Sequence, residues 1–533
     1  NVSGDIGAGT ALATLDINAT GGSGTIEIND VGTSSAAGVT GLTRLGTQST
    51  GTLTMDGTNY NFGGGFTIGP DYTMTSHPSS FTTVGDVNFL GTVQVDGTFS
   101  INSGGGDITI AGNITSTGED EIISLTDGTA GDGSGTITLG GTVSASNITL
   151  VGDSGIVLSG DITSNNTGSA GAIEFTGPIT LADTSSDSVT IDADQHASTT
   201  VTFNSTATVN AATSGGQSLT IETDSGAIAM QGAIGGSTAL SALTVNADGA
   251  GTIEITNIGT SSAAGVTGAT AIGNTNTGTL TLDGTVYTTN AATYTAATGE
   301  NIDLTGGATT TFTSSNDDIT FGTATVEMAN GSNLKIDTDT LGGAIDLAGG
   351  VMGTSSENIT LTAGTGTVAI GAVGTGTEIA DVSITSSGNT TISGDFTGGS
   401  LTNSGPAVVS SDINLSTTGN IEFGSTLDSS NGNQTITFVT AADITITGAV
   451  GGSNPFSTFK ITDADNFTYS GGGSIAGFSS GKFSRTGGFA IFNPGPSIDN
   501  INTIEKAQDK EIAFFDAPVF KSFKSFLTPT VTD

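Results

Sequence analysis

From Ile137 to Ile179 one pattern of apolar and polar positions is written three times. It reads Ile137-Thr-Leu139-Gly-Gly141-Thr-Val143, then Ile156-Val-Leu158-Ser-Gly160-Asp-Ile162, then Ile173-Glu-Phe175-Thr-Gly177-Pro-Ile179. An apolar-x-apolar triplet gives a strand with one buried face, the glycine gives a corner, and the next apolar residue turns inward again. Each copy therefore predicts one strand-corner-strand arc. The copies start at 137, 156 and 173, so 19 and then 17 residues apart. That suits one lap of a parallel β-helix and leaves no room for a strand-helix-strand crossover.

The same arc is legible at Val87 to Val93, Val93 to Phe99, Ile108 to Ile114, Ile228 to Ile234, Leu280 to Val286, Ile345 to Val351 and Ile444 to Val450. Its intervals are irregular, so laps of unequal length are expected, with stretches such as Thr33 to Ala37 and Thr163 to Ala170 bulging as loops. Two longer repeats overlie it. Gly24-Thr-Ile-Glu-Ile28, Gly32 to Gly41 and Asp56-Gly57 return almost letter for letter at Gly251-Thr-Ile-Glu-Ile255, Gly259 to Gly268 and Asp283-Gly284, which marks a duplication. A second cassette sets an apolar-glycine pair ahead of three more apolar positions. It occurs at Ile6-Gly7…Leu12…Leu15…Ile17, Ile234-Gly235…Leu240…Leu243…Val245, Val373-Gly374…Ile379…Val382…Ile384 and Val450-Gly451…Phe456…Phe459…Ile461.

No helical periodicity precedes about residue 500. Residues 1–475 thus read as an all-β parallel solenoid. With roughly 20 residues and about 4.8 Å per lap, some 470 residues predict a rod on the order of 110 Å long. Residues 476–533 read as a C-terminal capping or assembly segment. Half of all the phenylalanines lie from Phe456 onward, and seven of the nine basic residues from Lys460 onward. Asn493-Pro-Gly-Pro496 predicts a hinge, and Asn502 or Thr503 an N-cap for a short helix running to Phe515. Phe514, Phe515, Phe520, Lys521, Phe523, Lys524 and Phe526 are the candidate assembly contacts, the lysines meeting an acidic neighbour.

Composition changes the picture in three ways. Gly 84 in 533 residues, with only 11% charged, resembles a disordered chain; the alternating Ile, Val and Thr argue for order. Fifty acids against nine basic residues give a formal charge of −41 and a pI near 4.1, which repels nucleic acid and anionic lipid and attracts cations. With Cys 0 there are no disulfides or thiolate metal sites, a usage compatible with export. No apolar run approaches a membrane span. The chain begins at Asn1, from which an already removed signal peptide, or a piece of something longer, is expected.

The polar candidates are few. Asp192, Asp194 and His196 alternate, so on a strand they would share a face, solvated or else able to hold a metal or move a proton. His77 precedes Pro78 in a loop-like stretch with no acidic neighbour. The densest acidic spots are Glu119, Asp120 and Glu121, and Asp317 with Asp318; such oxygen-rich loops are candidates for Ca²⁺. The nonapeptide calcium repeat is absent, Gly21-Gly-Ser-Gly24 being followed by Thr25. No glycine-rich segment ends in Gly-Lys-Ser/Thr, and no nucleophile elbow accompanies the two histidines. No cofactor is required and no catalytic residue is expected.

Gln434-Thr-Ile-Thr-Phe438…Asp443-Ile-Thr-Ile-Thr-Gly-Ala-Val-Gly-Gly452…Phe456…Phe459-Lys-Ile461, echoed by Gln217-Ser-Leu-Thr-Ile221…Gly232-Ala-Ile-Gly-Gly236…Leu240…Leu243-Thr-Val245, resembles the repeats of filamentous-haemagglutinin-like and β-strand-repeat bacterial surface exoproteins. The resemblance covers most of residues 1 to 470. It implies a right-handed parallel β-helix at the cell surface with adhesive or structural duty. The expectation is an extracellular structural protein, part of a fibre, sheath or layer or an adhesin stalk. It would associate with itself as a homo-oligomer or filament and meet surface glycans or other cells. One alternative is a carbohydrate-active β-helix enzyme of depolymerase or lyase type. Another is a calcium-dependent surface-layer protein of β-sandwich domains.

Overall fold

The structure, a computed structural model, describes residues 1–481 and 490–492 apart from 20–23, 48–50, 70, 75–78, 129–133, 185–186, 330, 472–474 and 476–477. The described residues form strands, bends and turns and no helix. All named strand pairs are parallel, stacked as a β-solenoid of about 18 turns in all. The chain divides into two compact units, Asn1–Ile302 and Asp303–Asp533.

In the first unit each turn crosses three ladders. One runs from Leu15–Ile17 to Val209–Ala211, a second from Thr25–Ile28 to Ala292–Tyr294, and a third from Asn59–Asn61 to Leu280–Leu282. A representative turn is Ile137–Leu139, Val143–Ala145 and Asn147–Val151, after which Ile156–Leu158 returns to the first ladder. Period-two patterning sends alternate residues inward. Parallel register then stacks like on like: Ile114, Val143, Ile162, Ile191, Ile221 and Val245 form one file, each at most 1% exposed. Each such aliphatic contributes about 1.5–3 kcal/mol by leaving water. Outward positions of the same strands carry Thr115, Ser144 and Thr163, which keep β-propensity without an apolar surface. Near the start the interior is aromatic, with Tyr60 stacked on Phe81 at 4.8 Å and Phe81 packed edge-on against Phe89 and Phe99.

Each arc is a strand-corner-strand unit of a three-sided turn, as the pattern predicts, and the first two copies lie one lap apart; the third does not. The first two copies turn from the first ladder to the second. In the third, Ile173 and Phe175 lie in Ala172–Thr176 of the third ladder, and Ile179 returns to the first and stacks on Ile156. The phase slips because Ala172–Thr176 pairs with Asn147–Val151 in the third ladder, so the third arc spans the corner from the third ladder to the first. The glycines also act differently from place to place. Gly160 has an ordinary backbone; a Cβ there would stand 2.7 Å from the carbonyl carbon of Gly141 in the preceding turn, so close approach demands glycine. The cassette glycines Gly7, Gly235, Gly374 and Gly451 instead have φ of 70°, 63°, 71° and 64°, a left-handed corner that side chains resist.

The duplication is structural as well. Thr33 and Thr260 each close a small turn, accepting from Ala36 N and Ala263 N at 3.0 and 3.1 Å. Tyr60 and Tyr287 bury hydroxyls that accept from Gly57 N at 2.7 Å and Gly284 N at 2.9 Å. Yet the copies occupy different ladders: Thr25–Ile28 belongs to the second, whereas its counterpart Ile253–Ile255 belongs to the third. The copy sits one side further round the turn.

The second unit keeps three files. Ile359, Val382, Leu401, Ile421, Ile444 and Phe467 form one, and Val351, Val373, Phe396, Leu415, Phe438 and Ile461 another. The third runs through Ile345, Val368, Thr390, Ala407 and Leu427 to Val450. Thr390 is tolerated in that file because its hydroxyl donates to Asn403 Oδ1 at 2.8 Å. Phe456, Phe459 and Phe467 are buried, ring against ring, within this core. Parallel pairing continues past residue 475 with Phe478–Gly481 and Ala490–Phe492. The helix expected from Asn502, the hinge at Asn493 to Pro496, and the assembly candidates Phe514, Phe515, Phe520, Lys521, Phe523, Lys524 and Phe526 lie outside the described residues.

Candidate functional site

Many corner carboxylates and amides are committed to the backbone. An Asp or Asn just before an inward apolar residue accepts the N–H of the equivalent residue one turn on: Asn113 from Thr142 at 3.0 Å, Asp161 from Thr190 at 2.8 Å, Asp395 from Asn414 at 2.8 Å. Asp and Asn serve alike, so the charge itself is not what this role uses.

Asp318 is one of these residues. Its Oδ1 accepts from Ala344 N at 2.7 Å, while the Asp317 carbonyl accepts from the Ser314 hydroxyl. The other acidic candidate is built differently. Glu119 and Asp120 are exposed, but Glu121 turns inward and is only 4% exposed. Its main-chain carbonyl accepts from Ser146 N at 3.0 Å and Asn147 N at 3.2 Å, which fixes the residue at the corner. Its carboxylate lies against Gly118, where a Cβ would stand 2.6 Å from Oε1. Asn165 reaches the same place from a later turn, donating through Nδ2 to the Ser116 hydroxyl and, at 3.1 Å, to the Gly118 carbonyl. Thr167 donates to Glu119 Oε1 at 2.7 Å. Two buried oxygens, Glu121 Oε2 and Asn165 Oδ1, receive no hydrogen bond from any described residue.

Glu357, 1% exposed, is the saturated counterpart. Burial alone would raise its pKa; the hydroxyl and N–H of Ser355, with the hydroxyl of Thr354, more than offset that and hold it below the usual range.

Asp192, Asp194 and His196 do not share a strand face. Strand Ser188–Ala193 ends before Asp194, whose N–H folds back to Asp192 Oδ1 at 3.1 Å, and His196 Nδ1 accepts from Ser198 N at 3.2 Å. The alternation was overridden by this local side-chain-to-backbone turn. Asp192 instead stands beside Glu222 of the next strand, and partial burial, then Asp194 and Glu222, raise its pKa. His77 lies outside the described residues.

Among the described residues no three or more His, Cys, Asp or Glu side chains cluster so as to hold a metal, and no helix is long and apolar enough to cross a membrane. A surface depression at Gly374 and Gly376 is lined by Glu378 and Asp395, the latter engaged by Asn414. No protein-family model, curated protein or solved structure matches the chain. The sequence pattern missed Asn165, which is remote from Glu121, and the inward aim of Glu121, although Glu121 sits two residues before the inward Ile123 and so keeps the strand's period.

Proposed function

We propose that the chain is a structural protein of the cell surface, a building element of a fibre, sheath or layer or the stalk of an adhesin, acting through stiffness and contacts between subunits. The observation that carries this reading is how the polar groups are used. Asn113, Asp161, Asp318 and Asp395 tie one turn to the next, while files of aliphatic and aromatic side chains fill the interior of each unit. Chemistry spent on inter-turn cohesion suits a load-bearing element. Repeats resembling those of filamentous-haemagglutinin-like exoproteins, and an acidic, cysteine-free composition, agree with an exported location. Right-handed winding belongs to this proposal, on the general preference of parallel crossovers. Repeated outer faces offer weak, multivalent contacts to a second copy or to glycans.

Electron microscopy of the purified chain tests the proposal. Stiff, elongated particles that associate on concentration are expected. Beads on a flexible string, or release of new reducing ends from polysaccharides, would overturn it in favour of a sandwich array or an enzyme.

A further inference from the structure

Four corners of this protein bury a long polar side chain two residues before the first inward aliphatic: Glu121 before Ile123, Gln217 before Leu219, Glu357 before Ile359 and Gln434 before Ile436. In three of them a side-chain oxygen accepts N–H groups from the residue's own loop. Gln217 Oε1 accepts from Thr213 at 3.1 Å, Gln434 Oε1 from Asn431 at 3.4 Å, and Glu357 Oε1 from Thr354 at 3.2 Å and Ser355 at 2.8 Å. The fourth departs from the rule. Where Glu357 follows Thr354-Ser355-Ser356, all hydroxyl-bearing, Glu121 follows Gly118-Glu119-Asp120, which supplies no side-chain donor and adds two acids.

Burying a carboxylate oxygen without a donor is costly, and more so with a second acceptor nearby. Asn165 Oδ1 cannot be relieved by rotating the amide, because Nδ2 would then forfeit its bond to the Gly118 carbonyl and set oxygen against oxygen. The only lysines and arginines among the described residues are Arg44, Lys335 and Lys460, and no ion pair to Glu119 or Glu121 is formed among the described residues. Both oxygens lack a donor or a cation, and beside two further acids a cation that accepts oxygen ligands in irregular number would answer both. That is the chemistry of Ca²⁺.

We propose that Glu121 and Asn165, with Glu119 closing the solvent side, form a calcium site that fastens the loop 116–121 to the loop 165–168. The ligands come from two different turns, so the ion acts as a clip between them. Asp317 and Asp318 carry no buried side-chain oxygen that lacks a partner, Asp318 Oδ1 accepting from Ala344 N, so the argument made for Glu121 does not extend to them.

Calorimetric titration of the full chain with Ca²⁺, alongside thermal unfolding with and without it, tests the assignment. At about 0.15 M salt, with a further arm near 1 M to screen diffuse counterions, one saturable class is expected that Mg²⁺ at equal concentration does not fill. Glu121→Gln should weaken that class by about tenfold or more, as loss of a charged ligand does, and abolish the calcium-dependent rise in Tm. Glu119→Gln, at an exposed position, should weaken it less and provides the reading if Glu121→Gln does not fold. The double variant Asp317→Asn, Asp318→Asn should leave it unchanged. Binding that disappears near 1 M salt, or that survives both glutamate substitutions, would overturn the site.

Discussion

Asp161 illustrates how one residue can hold two turns together without belonging to a strand. Its Oδ1 takes the Thr190 N–H at a corner, where the ladder would otherwise leave a backbone donor unmatched. Asp161→Ala should cost about 1 kcal/mol, and Asp161→Asn less than about 0.5 kcal/mol, both read from equilibrium unfolding. The Gly-Asp-Ile lettering was in plain view; its meaning was not, because the partner lies 29 residues away across a loop of unpredictable length. Asp192 makes the opposite case. Its carboxyl has a raised pKa in the folded state, through burial first and then repulsion from Asp194 and Glu222. The folded state therefore binds this proton more tightly than the unfolded chain. That advantage is complete below the unfolded pKa of about 3.9 and is lost as pH rises through the folded value. Asp192→Asn should thus raise Tm at neutral pH, with the gain shrinking toward zero below about pH 4, a profile that thermal unfolding at several pH values would record.

At the scale of strands and corners, pattern reading succeeded where a rule is local. Alternation located the buried faces, as at Ile137–Leu139 and Ile156–Leu158, and the cassette's recurring apolar-glycine pair marked positions whose left-handed backbone the fold then showed. It failed where the rule is relational. Which side of the turn a strand joins depends on what it pairs with, so the third arc, from Ile173 to Ile179, was placed out of phase. The corners also set where substitution is least tolerated. A Cβ on Gly235 would lie 2.0 Å from the Gly265 carbonyl oxygen, at a φ of 63°. Gly235→Ala should therefore cost at least about 2 kcal/mol. Gly9, with open space around it and an ordinary φ, should accept alanine almost freely, and chemical denaturation of the two variants compares them directly.

For the molecule as a whole, the short apolar repeats pointed to a parallel solenoid, in which stacked turns satisfy one another's backbone groups, and the fold decides for it over the string of β-sandwiches that the irregular spacing also allowed. The candidate calcium corner was half legible: Glu119, Asp120 and Glu121 stood out as acidic letters, but burial of one of them and the arrival of Asn165 required the fold. The displaced duplication has a further consequence. Because Ile253–Ile255 could settle one side beyond the place held by Thr25–Ile28 and still fill the interior, the three sides are interchangeable parts. A gene coding for such a chain can be lengthened by copying any stretch that ends at a bend, without respecting a full circuit. Descendants would then share craftsmanship at the bends while losing any common measure along their length.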